Sequence, residues 1–225
     1  MKKYVQEATD INIWTSIKNN TFGRNKDIKE FIDGLELIDE SACISLDAKW
    51  GDGKTFFVRQ IEEVLKYVLA NQRADEENPI EKIPSYEYLK DNEMMAKIDL
   101  KHSYLPIYYN AWMYDNHSDP LMSLLLVMTK TCKGVYDTKI DSEKISEKLI
   151  KALSTLPISL GEFKMNPFTV AEKLQVKKVD ILSLVQTEEE IRERVKGIFN
   201  DIIVERAQKL IIFIDELDRC RHLLP

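Results

Sequence analysis

The apolar positions along the chain change their period several times, and each change marks an element. Ile28, Phe31, Ile32 and Leu35 recur three and four residues apart, so the spacing predicts a helix opened by Thr21-Phe22-Gly23-Arg24. Upstream, a polar stretch carries only Ile11, Ile13, Trp14 and Ile17 as apolar anchors, which fits a lead-in helix or an irregular arm. Ala42-Cys43-Ile44-Ser45-Leu46 is a short apolar run of strand length. After a glycine-bearing loop, Phe57, Ile61, Val64, Leu65 and Val68 return to helical spacing. Residues 71–100 are charged, contain Pro79 and Pro84, and read as a loop with a short helix. Tyr104–Asn110 reads as a second strand, with Pro106 near its start because proline cannot donate to a ladder. Asp119-Pro120 opens a helix over Leu121–Lys130.

From Gly134 to about residue 186 the pattern turns irregular. Ile145, Leu149, Ile150 and Leu153 make one amphipathic helix, and the segment reads as a helical insertion packed on the domain. Thr187 then caps a long helix to about Ala207, with Glu188, Glu189 and Glu190 meeting the positive end of its dipole. Leu210–Ile214 is a continuous apolar run and reads as a fully buried parallel strand, ending in Asp215-Glu216. The alternation of strands and helices predicts an α/β domain with a parallel sheet flanked by helices.

Composition narrows the function classes. At 225 residues, 44% hydrophobic and 31% charged, the chain suits one α/β domain. Its net charge of −6 gives no general attraction to nucleic acid or an anionic membrane. Cys43, Cys132 and Cys220 are scattered, as are His102, His117 and His222, which argues against zinc and for a reducing cytoplasm. The longest apolar stretch, Leu121–Met128, is interrupted by Ser123 and is far shorter than the roughly 20 residues that span a bilayer.

The candidate chemistry begins at Ala48-Lys49-Trp50-Gly51-Asp52-Gly53-Lys54-Thr55 and extends to Phe56. A glycine loop entering a helix aims backbone N–H groups at one point, and the helix dipole favours a negative group there. Gly51 and Gly53 allow close approach of the backbone, Lys54 would reach the β- and γ-phosphates, and the Thr55 hydroxyl would ligate Mg²⁺. Ala48 stands where the motif usually has glycine. By composition such a pattern arises in about one chain in fifty of this length, and the expected strand, loop and helix around it sharpen the match. At the far end, Asp215 is assigned to Mg²⁺ and Glu216 to polarising the attacking water, with an acidic turn after a core strand as the alternative. Asp218 and Arg219 suit a structural ion pair or a contact with a neighbouring subunit, and Trp112 suits the core better than a stacking platform.

Three stretches together resemble the KAP family of P-loop NTPases: AKWGDGKTFF at Ala48–Phe57, YNAWMY at Tyr109–Tyr114 and FIDELDRC at Phe213–Cys220. The resemblance implies an additional-strand P-loop fold, ATP with Mg²⁺, and hydrolysis by the glutamate that matches Glu216. Bacterial members are cytoplasmic or membrane-associated, and some take part in excluding phage. Many insert transmembrane helices between the glycine loop and the Asp-Glu strand, where the insert of this chain is polar. The family continues well past that strand and places a later strand between the loop strand and the Asp-Glu strand. Ending at Pro225, the chain resembles a fragment or a truncated gene product, and unpaired strand edges would then need another partner. Two functions follow as expectations: an ATP-hydrolysing domain, or a nucleotide-gated interaction module without turnover that binds a protein partner or a second copy.

Overall fold

In the computed structural model of the chain, the described residues are 7–74, 79–115, 123, 124, 127, 128, 131, 197 and 207–220. They fall into two compact units: Met1–Tyr108 with Ala207–Phe213, and Tyr109–Arg206 with Ile214–Pro225.

The first unit is built on three helices. Helix α1 spans Asp10–Lys18 and starts under Thr9, whose hydroxyl accepts the Asn12 N–H at 3.4 Å. Helix α2 spans Asn25–Leu35 and buries Ile28, Ile32 and Leu35, the face that the periodicity predicts. Helix α3 spans Lys54–Gln72 and buries Ile61, Val64, Leu65 and Leu69. Both α1 and α2 pack on α3, and the short helix α4, Tyr86–Leu89, packs on α1. Ile13 and Ile17 of α1, the buried face of α2, and Ile61, Val64 and Leu65 of α3 join Leu89, Met94, Leu100, Tyr104 and Phe213 in one core.

Helix α3 also carries charge into the packed region. Glu62 and Glu63 are almost wholly buried. Glu62 pairs with Arg59 and with Lys66 at 2.8 Å, and Lys66 pairs with Glu63 at 2.8 Å. Arg59 reaches Asp10 of α1 at 2.8 Å, and the Trp14 indole donates to Glu63 at 2.6 Å. Burial works against the charge of Lys66, but Glu62 and Glu63 outweigh it and hold the ammonium above its ordinary value. Buried charges are stable only when paired; the pairs within α3 let it carry this charge, and the contacts of Arg59 with Asp10 and of Trp14 with Glu63 tie it to α1.

Strand β1 spans Tyr104–Asn110 and β2 spans Lys209–Asp215, and the two pair as neighbours. The Ser103 carbonyl accepts from Gln208 and Lys209 at one end, while Ala111 donates to Asp215 at the other. Paired positions rise together, so the pair is parallel. Each strand crosses the division between the units, which falls after Tyr108 and after Phe213.

Two strand expectations are corrected. Ala42–Leu46 is not a strand: it is irregular and exposed throughout, with Ile44 at 55%. Strand formation is not local, since each backbone group needs a neighbour, and β1 and β2 pair with each other rather than with this segment. Strand β2 is not fully buried either. Phe213 is buried, but Ile214 is 52% exposed, because a two-stranded sheet among the described residues leaves no further layer over it. The helix expected over Leu121–Lys130 lies largely outside the described residues, of which 123, 124, 127 and 128 are helical. The expected insertion at 134–186 and the helix from Thr187 lie outside them, apart from helical Gly197. Among the described residues no helix is long and apolar enough to cross a membrane.

Glu36, just past α2, ties that helix to the start of β1. Its carboxylate accepts from the Tyr104 hydroxyl at 2.6 Å and the Lys101 N–H at 3.2 Å, and lies 3.2 Å from His102 Nδ1. Burial would raise the Glu36 pKa, but the bonds from Tyr104, His102 and Lys101 outweigh it and hold the value below the ordinary carboxylate range. A depressed carboxyl stabilises the fold above its unfolded pKa, and the gain is lost as pH falls through the folded value. Tyr104→Phe is expected to cost about 1–2 kcal/mol at neutral pH and to raise the Glu36 pKa. Urea unfolding should show the difference fading at acidic pH, and carboxyl NMR titration should show the shift.

Candidate functional site

The glycine loop precedes α3 directly, and its conformation follows from three local constraints. Residues 49–52 form a turn: Asp52 N–H donates to the Lys49 carbonyl at 3.2 Å, and the Asp52 carboxylate accepts the Lys49 N–H at 3.0 Å. Gly51 and Gly53 lie in the left-handed region at φ +88° and +83°, which favours residues without a Cβ. Phe57 N–H then makes a helical bond to the Gly53 carbonyl at 2.9 Å. The N–H groups of Lys54, Thr55 and Phe56 precede that bond at the positive end of α3.

Lys54 closes the other side. Its ammonium donates to the Ala48 carbonyl at 2.6 Å and to the Lys49 carbonyl at 3.4 Å. The cation is thus folded over the loop, held by carbonyl oxygens that a phosphate oxygen can replace. Trp50 is 79% exposed on the loop. Thr55 is half-buried in the first turn of α3, whereas the Phe56 side chain packs on the core and leaves only its backbone for a ligand. Ala48, Lys49, Trp50, Gly51, Asp52, Gly53, Lys54 and Thr55 therefore form one continuous stretch that runs from the turn into α3. Its backbone donors and the Lys54 ammonium fit a chain of phosphates, and the Thr55 hydroxyl is an oxygen donor of the kind that Mg²⁺ takes, as is the Asp215 carboxylate.

Arg24 is a contributor that sequence reasoning did not reach. Its guanidinium donates to the Asp52 carbonyl at 2.9 Å and to the Gly53 carbonyl at 3.3 Å, and lies 6.0 Å from the Phe57 ring centre. An arginine so far ahead of the loop carries no local signal of this contact. The left-handed Gly23 just before it is the one hint that the chain turns sharply there.

The acidic strand end belongs to the second unit. The Asp215 carbonyl accepts from Ala111, and its carboxylate accepts the Glu216 N–H at 2.9 Å. Glu216 adopts φ +59°, a left-handed conformation that costs a residue with a Cβ about 1–2 kcal/mol. Its carboxylate is ion-paired with Arg219, and its carbonyl accepts from Arg219 N–H at 3.2 Å and from Cys220 Sγ at 3.7 Å. The expected link of Arg219 to Asp218 is corrected: Arg219 pairs with Glu216, while Asp218 is exposed. Trp112 is also corrected. It is 54% exposed rather than core, and the Arg219 guanidinium stacks 5.4 Å from its ring centre. An indole face attracts a cation, so Trp112, Arg219 and Glu216 form one chain of contacts.

Residues 24–222 match the KAP family P-loop domain. No curated protein and no solved structure matches the chain. The match covers most of the sequence and spans both the glycine loop and the acidic strand end, so the chain belongs to the KAP family of P-loop domains.

A methyl group at Gly53 would meet the Arg24 guanidinium at 3.3 Å, and the φ of +83° is itself unfavourable for alanine. Gly53→Ala is expected to lower stability by about 1–2 kcal/mol. Urea unfolding of the variant beside the parent measures it, and an unchanged midpoint would contradict this loop conformation.

Proposed function

We propose that this KAP family P-loop domain binds ATP with Mg²⁺ at Ala48–Phe56 and hydrolyses the terminal phosphate. The observation that carries the reading is the loop itself. Two left-handed glycines, the uncapped start of α3 and a lysine held by replaceable carbonyls converge where an anion would sit. Backbone N–H groups of Gly53, Lys54, Thr55 and Phe56 would cradle the phosphates, while those of Lys49 and Asp52 are used within the turn. Lys54 would exchange the carbonyls of Ala48 and Lys49 for β- and γ-phosphate oxygens. Thr55 and Asp215 would hold the metal, which when bound neutralises charge on the phosphates. Glu216 would take the proton of the attacking water as the bond between the γ-phosphorus and the departing ADP breaks. The family resemblance further supports the additional-strand form of the fold, a helical insertion at 134–186, a cytoplasmic site of action and a part in excluding phage.

One observation favours a second reading. Glu216 is already ion-paired with Arg219, so its carboxylate is engaged by a side chain of its own turn rather than turned to a water. A chain that binds ATP with Glu216 so engaged would act as a nucleotide-gated module, presenting one surface when loaded and another when empty to a protein partner or a second copy.

Lys54→Ala is expected to abolish ATP binding in calorimetry; affinity equal to the parent would make the site assignment wrong. Glu216→Gln is expected to retain binding and to block phosphate release. Glu216-dependent turnover by the parent excludes the module reading, and binding without turnover supports it.

A further inference from the structure

Peptide planarity turns the Arg24 contacts into a statement about the loop's donors. Every described peptide bond is trans, so each carbonyl points opposite to the N–H of the following residue. The Asp52 carbonyl shares its plane with the Gly53 N–H, and the Gly53 carbonyl shares its plane with the Lys54 N–H. Arg24 holds both carbonyls, at 2.9 and 3.3 Å. Pinning them on one side directs the two N–H groups to the other. Gly51 and Gly53 are the positions where the backbone would otherwise turn most freely, since glycine has the widest choice of φ and ψ.

We propose that Arg24 is a positioning residue of the phosphate-binding loop, orienting the Gly53 and Lys54 N–H groups toward the anion from behind. This inference rests on the nucleotide-binding reading of the loop. The guanidinium suits the task because its two donor arms form a rigid planar fork that holds successive carbonyls in a fixed geometry, whereas a lysine ammonium is a point charge on a flexible stem. Its partners are carbonyl oxygens and the Phe57 ring rather than a carboxylate, so these contacts do not neutralise its charge. The arginine is itself fixed at the elbow between α1 and α2. Asn20 and Phe22 are left-handed at φ +47° and +60°, Gly23 N–H donates to the Asn20 carbonyl at 2.9 Å, and Asn25 N–H donates to Asn20 Oδ1 at 3.0 Å. The Asn25 amide donates to the Ile17 carbonyl at 2.9 Å. A bulky residue at positive φ is costly, and the chain accepts it at the turn that delivers Arg24.

The test compares the parent, Arg24→Ala, Arg24→Lys and Lys54→Ala. Backbone ¹⁵N relaxation of the ligand-free protein gives order parameters at Gly53 and Lys54, and calorimetry gives ATP affinity. Arg24→Ala is expected to lower both order parameters and to weaken ATP about tenfold, with a melting temperature close to the parent's. Arg24→Lys, which keeps the charge and one donor group, is expected to fall between. Unchanged order parameters and affinity in Arg24→Ala, with binding lost in Lys54→Ala, would overturn the positioning role and leave the nucleotide reading standing. Should the parent bind no ATP, the nucleotide reading falls and the order parameters alone decide what Arg24 does. Should Arg24→Ala not fold, parent-like values in Arg24→Lys would overturn the proposal.

Discussion

Two contacts carry the charged face of α3 across to α1, and the first unit depends on them: the Trp14 indole donates to the buried Glu63, and Arg59 reaches Asp10. Glu62 and Glu63 lie in the packed face with Arg59 and Lys66 beside them, and Asp10 and Trp14 of α1 complete the set. The ion pairs of Glu62 and Glu63 lie within α3 and travel with it, so a slip of the helix would break the Trp14 bond to Glu63 and the Arg59 pair with Asp10. Those two contacts and the apolar face together hold the helix against α1. Because the glycine loop is the entry to the same helix, the packing of α3 on α1 and α2 sets where Lys54, Thr55 and Phe56 sit at its start.

Much of this was legible in the sequence. The faces of α2 and α3 follow from spacing alone, because burial on a helix repeats with its turn. Tyr104–Asn110 and Lys209–Asp215 are strands as their β-branched and aromatic content implies. The loop was legible because its glycines, lysine and threonine are contiguous. What stayed hidden depends on partners far away in the chain. Ala42–Leu46 has the composition of a strand but lacks a paired neighbour among the described residues, and composition does not report neighbours. Arg24 is one arginine among many until Asp52 and Gly53 fold against it. Glu216 in a left-handed conformation defies its own propensity and could be learned only from the backbone.

The glycine loop and the acidic strand end are built on different logic. The loop is held from three sides, by its own Asp52 turn, by α3 and by Arg24. All of those partners lie in the first unit. The acidic end is held by a short range of chain, from Ala111 and Trp112 on one strand end to Asp215 and Arg219 on the other. Its strained residue, Glu216, is steadied by Asp215, Arg219 and Cys220. Strain costs stability, and it persists where surrounding bonds over-determine the conformation.

The order of these parts along the chain has a consequence for synthesis. A ribosome delivers the N-terminal residues first. The elbow that carries Arg24 and the helices that flank it emerge ahead of the glycine loop, and α3 follows at once. The contacts that shape the loop link residues 10–25 to residues 52–63, a separation that chain closure bridges at modest entropic cost. Residue 215 is translated long after residue 72. A nascent chain can thus assemble the glycine loop well before the acidic strand end exists.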